Sequence, residues 1–125
     1  MIVGMGVDVT EVARMEAAIA RFGQRILQRL FTEAEIHYCE SKLNKFERYA
    51  GRFAAKEAAM KAIGTGWKRG VAWRDFEVRR EPSGRPTIGF SGKAAEFAHK
   101  LGVRRASISI SHTEQMAIAQ VILED

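Results

Sequence analysis

Two carboxylates stand in apolar surroundings where the sequence pattern predicts no charge. The first is Asp8, which lies in a segment, residues 2–9, that alternates like a β-strand and carries no other charged residue. Gly4 and Gly6 share its face of the strand, so another backbone or a ligand can approach closely there. A buried carboxylate is costly unless it is paired or bound to a metal. Asp8 is therefore a candidate metal ligand, and the alternative is that it caps the helix that follows the strand.

The second carboxylate, Glu57, interrupts the apolar face of a helix predicted over residues 45–63. Apolar residues recur on that face at helical spacing, and the same spacing places Glu57 among Phe46, Tyr49, Phe53 and Met60. One interpretation is a structural ion pair with Lys61, which lies one turn later on the same side. The other is that Asp8 and Glu57 jointly bind Mg²⁺, because two carboxylates plus substrate phosphates are a common magnesium site.

Basic residues form a row along the same predicted helix, three or four positions apart, at Lys45, Arg48, Arg52 and Lys56. A solvated helix face is the simpler interpretation, but like charges four positions apart repel each other and only Glu47 interleaves. The row suits phosphate groups, and the loop Gly64-Thr65-Gly66 with Lys68 and Arg69 extends it. The glycines alone are a weak phosphate-binding signal, since the loop matches no Walker or dinucleotide fingerprint.

His112 lies between Ser111 and Thr113, where a predicted strand ends and a turn begins. Functional side chains often collect at such positions, although a lone histidine is more often structural. A Ser/His/Asp nucleophile triad is not indicated, because the chain has no Gly-x-Ser-x-Gly elbow.

The elements that must position these residues form an α+β pattern. Thr10 is the predicted N-cap of a first helix. Thr32 and Glu35 form a capping box that begins a second helix, which ends near Leu43, and Gly64 ends the helix over residues 45–63. The remaining predicted elements are strands over 75–80 and 87–90, a helix over 91–100, and strands over 104–111 and 115–123. The pattern predicts one domain, residues 1–125, with a mainly antiparallel sheet and a long helix packed on it.

Length, charge and cysteine content bound the class of protein. A chain of 125 residues fits one domain, and it is short enough that a catalytic cleft can require a neighbouring subunit. The net charge is +5 and the isoelectric point lies near 9.7, which favours a phosphate-bearing or acidic partner. A single cysteine, Cys39, excludes an intrachain disulfide, and neither a signal peptide nor a membrane-spanning segment is predicted. We therefore expect a cytoplasmic protein with no membrane partner.

Three segments together resemble the holo-[acyl-carrier-protein] synthase family, the small phosphopantetheinyl transferases. They are residues 4–11 (GMGVDVTE), residues 51–58 (GRFAAKEA) continued by 61–66 (KAIGTG), and residues 109–113 (SISHT). Their order and spacing make the resemblance specific, and it extends to Phe31-Thr32-Glu33 before the second helix. The resemblance implies the 4′-phosphopantetheinyl transferase fold, assembled as a homotrimer with active sites between protomers.

The resemblance also implies a site. Asp8 and Glu57 would be the magnesium ligands, and with Lys61 they would form the catalytic group. The residues expected to contact coenzyme A are Arg48, Arg52, Lys61, Gly64, Thr65 and His112. Arg14, Arg21 and Arg25 on and beyond the first helix would meet the acidic surface of acyl carrier protein, chiefly to steer its encounter.

The implied reaction transfers the 4′-phosphopantetheine group of coenzyme A to a serine of apo acyl carrier protein and releases adenosine 3′,5′-bisphosphate. The serine proton would go to a metal-bound water or, as the alternative, to Glu57. Two other functions remain open: a basic nucleic-acid-binding module, which would explain the charge and the basic row, and a metal-dependent phosphodiesterase. The nucleic-acid interpretation would leave Asp8 and Glu57 unexplained, so we expect no nucleic-acid partner.

Overall fold

The computed structural model describes residues 1–125 and contains five β-strands and five α-helices. The strands are β1 (Ile2–Glu11), β2 (Phe76–Arg80), β3 (Pro86–Phe90), β4 (Arg105–His112) and β5 (Met116–Glu124). The helices are α1 (Val12–Phe22), α2 (Gln24–Leu30), α3 (Glu33–Glu40), α4 (Lys45–Ala62) and α5 (Gly92–Lys100), with one turn of 3₁₀ helix at Trp73–Asp75. No helix combines the length and the apolar character that a membrane crossing requires.

The strands form two antiparallel sheets. One has three strands in the order β1-β5-β4, and the other is the β2-β3 hairpin. In the larger sheet Asp8 lies opposite Ala119, and His112 lies opposite Ala117 near the same end of β5. The predicted α+β class with mainly antiparallel pairing and a long packed helix is confirmed.

The long helix α4 packs directly on the backbone of β1. A side chain at Gly4 would collide with the main-chain oxygen of Ala62, and one at Gly6 would collide with that of Ala58. These glycines therefore permit a close approach of helix to strand that no larger residue allows. Because Asp8 follows Gly6 on the same face of β1, the contact brings it beside the last turns of α4. The apolar side chains of the other face, such as Val7 and Val9, stay half-exposed.

Two hydrophobic clusters share α4. Tyr49 and Ala50 belong to one cluster with residues of α1, α2 and α3, and the helix from Ala54 onward belongs to the other with the two sheets. The helix is therefore the element that joins the two clusters. Its start at Lys45 agrees with the prediction, and Gly64 follows it with a φ of 80°, the left-handed conformation expected at the end of a helix.

Several predicted boundaries are wrong for local reasons. β1 continues to Glu11, which is the residue before α1, so Thr10 is not the N-cap, and Asp8 lies within the strand and does not cap a helix. The capping box of Thr32 and Glu35 is present, but α3 ends at Glu40 and not near Leu43. The helix α2, Gln24–Leu30, was not predicted; it begins directly after Gly23, whose positive φ separates it from α1.

Candidate functional site

Asp8 and Lys61 meet where β1 packs against α4. The Lys61 ammonium donates hydrogen bonds to Asp8 Oδ1 and to the main-chain oxygen of Val7, both at 3.0 Å. Thr10 Oγ1 donates a longer bond of 3.5 Å to Asp8 Oδ2. The Asp8 side chain is only 14 % exposed, whereas that of Lys61 is 54 % exposed. The ion pair of Lys61 is therefore made with Asp8, not with Glu57 as the structural interpretation of the sequence supposed.

Glu57 is the second acid of this cluster. It lies one helical turn before Lys61 and is half-buried, and it lines the same cavity as Asp8. Burial raises the pKa of Glu57 above its usual value, and the neighbouring Asp8 carboxylate raises it further, while Lys61 partly offsets the shift. Two carboxylates that disfavour each other's charge, of which only Asp8 is bonded to the Lys61 ammonium, leave room for a further cation.

The cavity beside this acidic pair has a volume of about 530 Å³. Its remaining wall comes from β1, α1, α2, α4 and β5 and is mostly apolar, although β1 adds Glu11. The apolar side chains include Met15, Ala18, Ile26, Leu30, Phe53 and Met116. Arg14 is the only basic residue that lines it. The cavity thus joins an apolar recess to a rim that holds three carboxylates, Asp8, Glu11 and Glu57, and one cation, Arg14.

The three arginines expected to meet a carrier protein are all exposed, and they lie on α1 and α2, which both contribute residues to this cavity. Arg14 and Arg21 are exposed on α1, and Arg25 is exposed in the first turn of α2. The Arg21 guanidinium lies 5.1 Å from the centre of the half-exposed Phe22 ring. None of the three takes part in an ion pair within the chain, so their charges are free to act on a partner.

A second, smaller recess collects the other predicted phosphate-binding residues. It has a volume of about 180 Å³ and lies between the first half of α4, the β2-β3 hairpin and the end of β4. Its charged lining consists of Glu47, Arg48, Arg52, Arg80 and His112. The structure therefore brings three predicted residues, Arg48, Arg52 and His112, to one place, and it adds Arg80 and Glu47, which were not predicted.

Arg52 is the most enclosed member of this recess. Its side chain is buried, its guanidinium stacks 4.1 Å from the centre of the Tyr38 ring, and its Nε has no hydrogen-bond partner. Arg48 donates hydrogen bonds to Asn44 and to the Tyr38 hydroxyl. A buried donor without an acceptor is uncommon in folded proteins, so the orphaned Nε marks a position for a ligand acceptor.

Gly64 and Thr65 follow the C-terminal end of α4, one turn after Lys61. Thr65 is buried, its Oγ1 donates to the Gly66 main-chain oxygen at 2.8 Å, and its amide donates to the Met60 carbonyl at 3.1 Å. The loop is thus tied back to the helix that carries Glu57 and Lys61, but it lies away from the recess of Arg48 and Arg52.

The predicted basic row along α4 is not a continuous surface. Lys56 is completely buried, and its ammonium lies 2.6 Å from Glu35 Oε1 of the capping box. It also donates to the main-chain oxygens of Leu30 and Trp73, at 2.8 and 3.2 Å. At the other end of the row, Lys45 pairs with Glu40. Because Lys56 and Arg52 are buried, the row offers no continuous basic surface to a nucleic-acid backbone. The basic row therefore no longer supports the nucleic-acid-binding interpretation.

Comparison with known proteins decides the family. Residues 4–120 match the family model of the 4′-phosphopantetheinyl transferase superfamily. The chain belongs to this superfamily. Its similarity to the holo-[acyl-carrier-protein] synthase of Koribacter versatilis (strain Ellin345) is 64 % identity over 125 residues, which covers the whole of both chains.

Solved structures of the superfamily share the fold. The crystal structure of the holo-[acyl-carrier-protein] synthase from Neisseria meningitidis superposes with a TM-score of 0.89 at 32 % identity and covers 100 % of both chains. That of the Helicobacter pylori holo-[acyl-carrier-protein] synthase, in complex with coenzyme A, has a TM-score of 0.85 at 32 % identity, covering 96 % of this chain and 99 % of the other. The predicted transferase fold is confirmed.

Three residues of this phosphopantetheinyl transferase chain were missed because their partners are distant in sequence. Glu47 was considered only as an acid within the basic row, yet it bonds His112, and Arg80 belongs to a hairpin strand with no motif of its own. Tyr38 does not line the second recess, but it contacts two of its arginines, Arg48 through its hydroxyl and Arg52 through its ring. One sequence signal could have identified Arg80. It follows Arg79 at the end of a predicted strand, and adjacent arginines beside a turn are candidates for anion binding.

Proposed function

We propose that this chain transfers the 4′-phosphopantetheine group of coenzyme A to a serine of apo acyl carrier protein, giving the holo carrier and adenosine 3′,5′-bisphosphate. The observation that carries the proposal is the cluster of Asp8, Glu57 and Lys61 at the edge of an apolar cavity whose rim bears Arg14. Phosphoryl transfer needs fixed positive charge and positioning at the reacting phosphate. Lys61 would supply one such charge, and a cation held by the two carboxylates would supply the other. Membership of the superfamily supports the same reaction.

Asp8 and Glu57 are the proposed ligands of Mg²⁺. The chain contains no group of three or more His, Cys, Asp or Glu side chains that could enclose a metal. A pair of carboxylates fits Mg²⁺ better than Zn²⁺, because Mg²⁺ commonly takes one or two protein carboxylates together with waters and substrate phosphates. The raised pKa of Glu57, caused by burial and by Asp8, agrees with a site that favours an added cation. A bound Mg²⁺ supplies charge neutralisation at the phosphoryl oxygens.

Asp8, Glu57 and Lys61 are the proposed catalytic residues, and each has a role that its position permits. The carrier serine attacks the β-phosphorus of coenzyme A, and the bond to the leaving adenosine 3′,5′-bisphosphate breaks. Lys61 is held by Asp8 Oδ1 with its ammonium still half-exposed, so it can contact phosphate oxygens while it stays fixed to the strand. Its charge offsets the negative charge that the reaction redistributes among those oxygens.

The donor is proposed to contact Arg48, Arg52, Lys61, Gly64, Thr65 and His112. Arg52 supports this assignment most directly, because its buried Nε lacks an acceptor that a phosphate oxygen can provide. Lys61 and the Gly64-Thr65 turn lie at the opposite end of α4 from Arg48. The donor would therefore extend along the helix, or its ends would be held by different subunits.

A homotrimer is the proposed assembly. The outer face of the β1-β5 pair presents Met5, Val7, Val9, Met116 and Ile118, each between 40 % and 55 % exposed. Such a contiguous apolar face is typical of a surface that another subunit covers. We propose that residues 1–125 act as a single domain in each subunit, and that the protein works in the cytoplasm, where holo carrier serves fatty acid and lipid biosynthesis.

Acyl carrier protein is the proposed acceptor, docked over the 530 Å³ cavity. Arg14 lines this cavity, and Arg21 and Arg25 are exposed on α1 and α2, the helices that also contribute to its wall, which suits an acidic partner. Chromatography of the small-molecule products tests the reaction class. With coenzyme A and Mg²⁺, adenosine 3′,5′-bisphosphate should be released only when apo carrier is present. Release at the same rate without carrier would identify a phosphodiesterase and refute the transferase proposal.

A further inference from the structure

One carboxylate lies among the cations of the second recess. Glu47 Oε1 is 2.8 Å from Nδ1 of His112, and the two side chains are 20 % and 25 % exposed. The pair joins the first turn of α4 to the last residue of β4, positions 65 residues apart in the chain. Apart from His112 itself, the other charged side chains that line this recess are the three arginines Arg48, Arg52 and Arg80, so an acid here needs a specific reason.

Holding α4 against β4 is not that reason. The two elements already pack directly through Gly51 of α4, where an added side-chain carbon would lie only 3.0 Å from the Ile110 side chain. His112 is also fixed by the pairing of β4 with β5 opposite Ala117. The Glu47 carboxylate instead fixes the orientation of the His112 imidazole ring.

We propose that Glu47 is a positioning residue that acts through His112, holding its ring so that Nε2 contacts a phosphate of the donor. When Glu47 accepts a hydrogen bond from Nδ1–H, Nε2 is the ring nitrogen that remains to face a ligand, and it donates an N–H when both ring nitrogens carry a proton. A carboxylate bound to one ring nitrogen fixes the orientation of the ring and therefore the direction in which the other nitrogen points. The orphaned Nε of Arg52, together with Arg48 and Arg80, completes the anion site.

This inference rests on the proposed function, since the phosphate is taken to belong to coenzyme A. Two phosphates of that donor have the required chemistry: the 3′-phosphate of the ribose and the diphosphate. Coenzyme A and dephospho-coenzyme A differ only in the first of these. Comparing the two donors therefore distinguishes the two sources.

The test is a double-mutant cycle of Glu47→Gln and His112→Ala, measured with both donors. Dissociation constants come from calorimetry and KM and kcat from transfer to apo carrier protein, all on the full chain. Glu96→Gln is the matched control, because it makes the same change in an exposed pair with Lys93 on α5. Thermal melts of every variant establish that each is folded.

We expect Glu47→Gln to raise both the dissociation constant and the KM for coenzyme A about tenfold, the typical value of one charge-assisted hydrogen bond. The kcat and the KM for carrier should stay within about twofold, and Glu96→Gln should match wild type. In the His112→Ala background Glu47→Gln should have no further effect, because the two residues act as one unit. A loss confined to coenzyme A assigns the 3′-phosphate, and an equal loss with both donors assigns the diphosphate.

Two results would overturn the proposal. One is unchanged donor affinity in Glu47→Gln, and the other is an equal loss of affinity in the wild-type and His112→Ala backgrounds. Failure of the proposed function is separate from both. It would show as an absence of transfer by the wild-type protein, and the calorimetric cycle would still report whether Glu47 acts through His112 on coenzyme A binding.

Discussion

Replacing either of two lysines of α4 by methionine should have opposite effects on stability and on activity. Lys56 and Lys61 lie five residues apart; the first is completely buried against Glu35, and the second is 54 % exposed against Asp8. We expect Lys56→Met to destabilise the protein strongly and Lys61→Met to leave its stability nearly unchanged. For activity per folded molecule the order should reverse, because only Lys61 belongs to the proposed catalytic group.

The magnitude for Lys56 follows from what its removal leaves behind. Glu35 would keep the amides of Thr32 and Val78, each at 2.8 Å, but would lose its only opposite charge. The main-chain oxygens of Leu30 and Trp73 would lose a donor as well. Breaking a buried ion pair from one side costs about 3–5 kcal/mol. For a chain of this length that loss lowers the melting temperature by about 10–20 °C.

Removing Lys61 should lower the free energy of unfolding less than removing Lys56. Its pair with Asp8 is partly solvated, and surface pairs of this kind contribute at most about 1 kcal/mol. Removing its charge should instead lower kcat, because that charge is expected to serve the transition state more than the bound substrates. Urea unfolding monitored by tryptophan fluorescence gives the free energy of unfolding, and steady-state transfer kinetics on the same samples give kcat.

A second variant keeps the comparison informative if Lys56→Met fails to fold. Glu35→Gln combined with Lys56→Met removes both charges of this buried pair and retains an amide oxygen for a backbone donor, so it should be more stable than Lys56→Met alone. Wild-type stability in Lys56→Met would show that the pair contributes little. A large loss of stability in Lys61→Met with normal kcat would make Lys61 structural and refute the assignment.

Three further predictions concern packing, docking and a buried thiol. Gly6→Ala should destabilise the protein, because the added carbon meets the Ala58 carbonyl, whereas Gly89→Ala should cost less stability, because the space around Gly89 is open. Urea unfolding compares the two variants, and equal losses in the free energy of unfolding would contradict the close packing of α4 on β1. Arg14→Glu should raise the KM for carrier protein without changing coenzyme A binding, and the rise in KM should be smaller at high salt. Unchanged kinetics at low salt would show that the carrier protein docks elsewhere. Burial raises the pKa of the Cys39 thiol to about 12, so its alkylation near pH 8 should be slow until urea unfolds the chain. Fast alkylation of the folded protein would contradict the burial of this thiol.

Local sequence rules predicted the parts of the fold that local interactions decide. The apolar spacing from Phe46 to Met60 predicted α4, and the capping box at Thr32 predicted the start of α3. The glycines of β1 indicated a close approach, and the structure shows α4 there. The short helix α2 was missed because its seven residues lie between a glycine and a capping box and have no cap or period of their own.

Partners far apart in sequence could not be predicted from spacing. The rule for residues four apart assigned Lys61 to Glu57, but its partner Asp8 lies 53 residues earlier. Likewise, Lys56 was placed with the exposed basic row, since nothing in the local pattern shows that Glu35, on another helix, provides a buried carboxylate for it. The candidate acids were identifiable because a charge interrupted an apolar pattern, while Glu47 and Arg80 interrupted none.

Mass spectrometry of the intact carrier protein tests the central claim most directly. The protein is mixed with apo acyl carrier protein, coenzyme A and Mg²⁺, and the carrier is weighed before and after, beside a carrier whose acceptor serine is replaced by alanine. We expect the apo carrier to gain the mass of one phosphopantetheine, the alanine carrier to gain none, and Asp8→Ala or Glu57→Ala enzyme, shown to be folded, to transfer none. An unchanged carrier mass with folded wild-type enzyme would contradict the proposed function, and undiminished transfer after complete chelation of divalent metal would contradict the role assigned to Asp8 and Glu57.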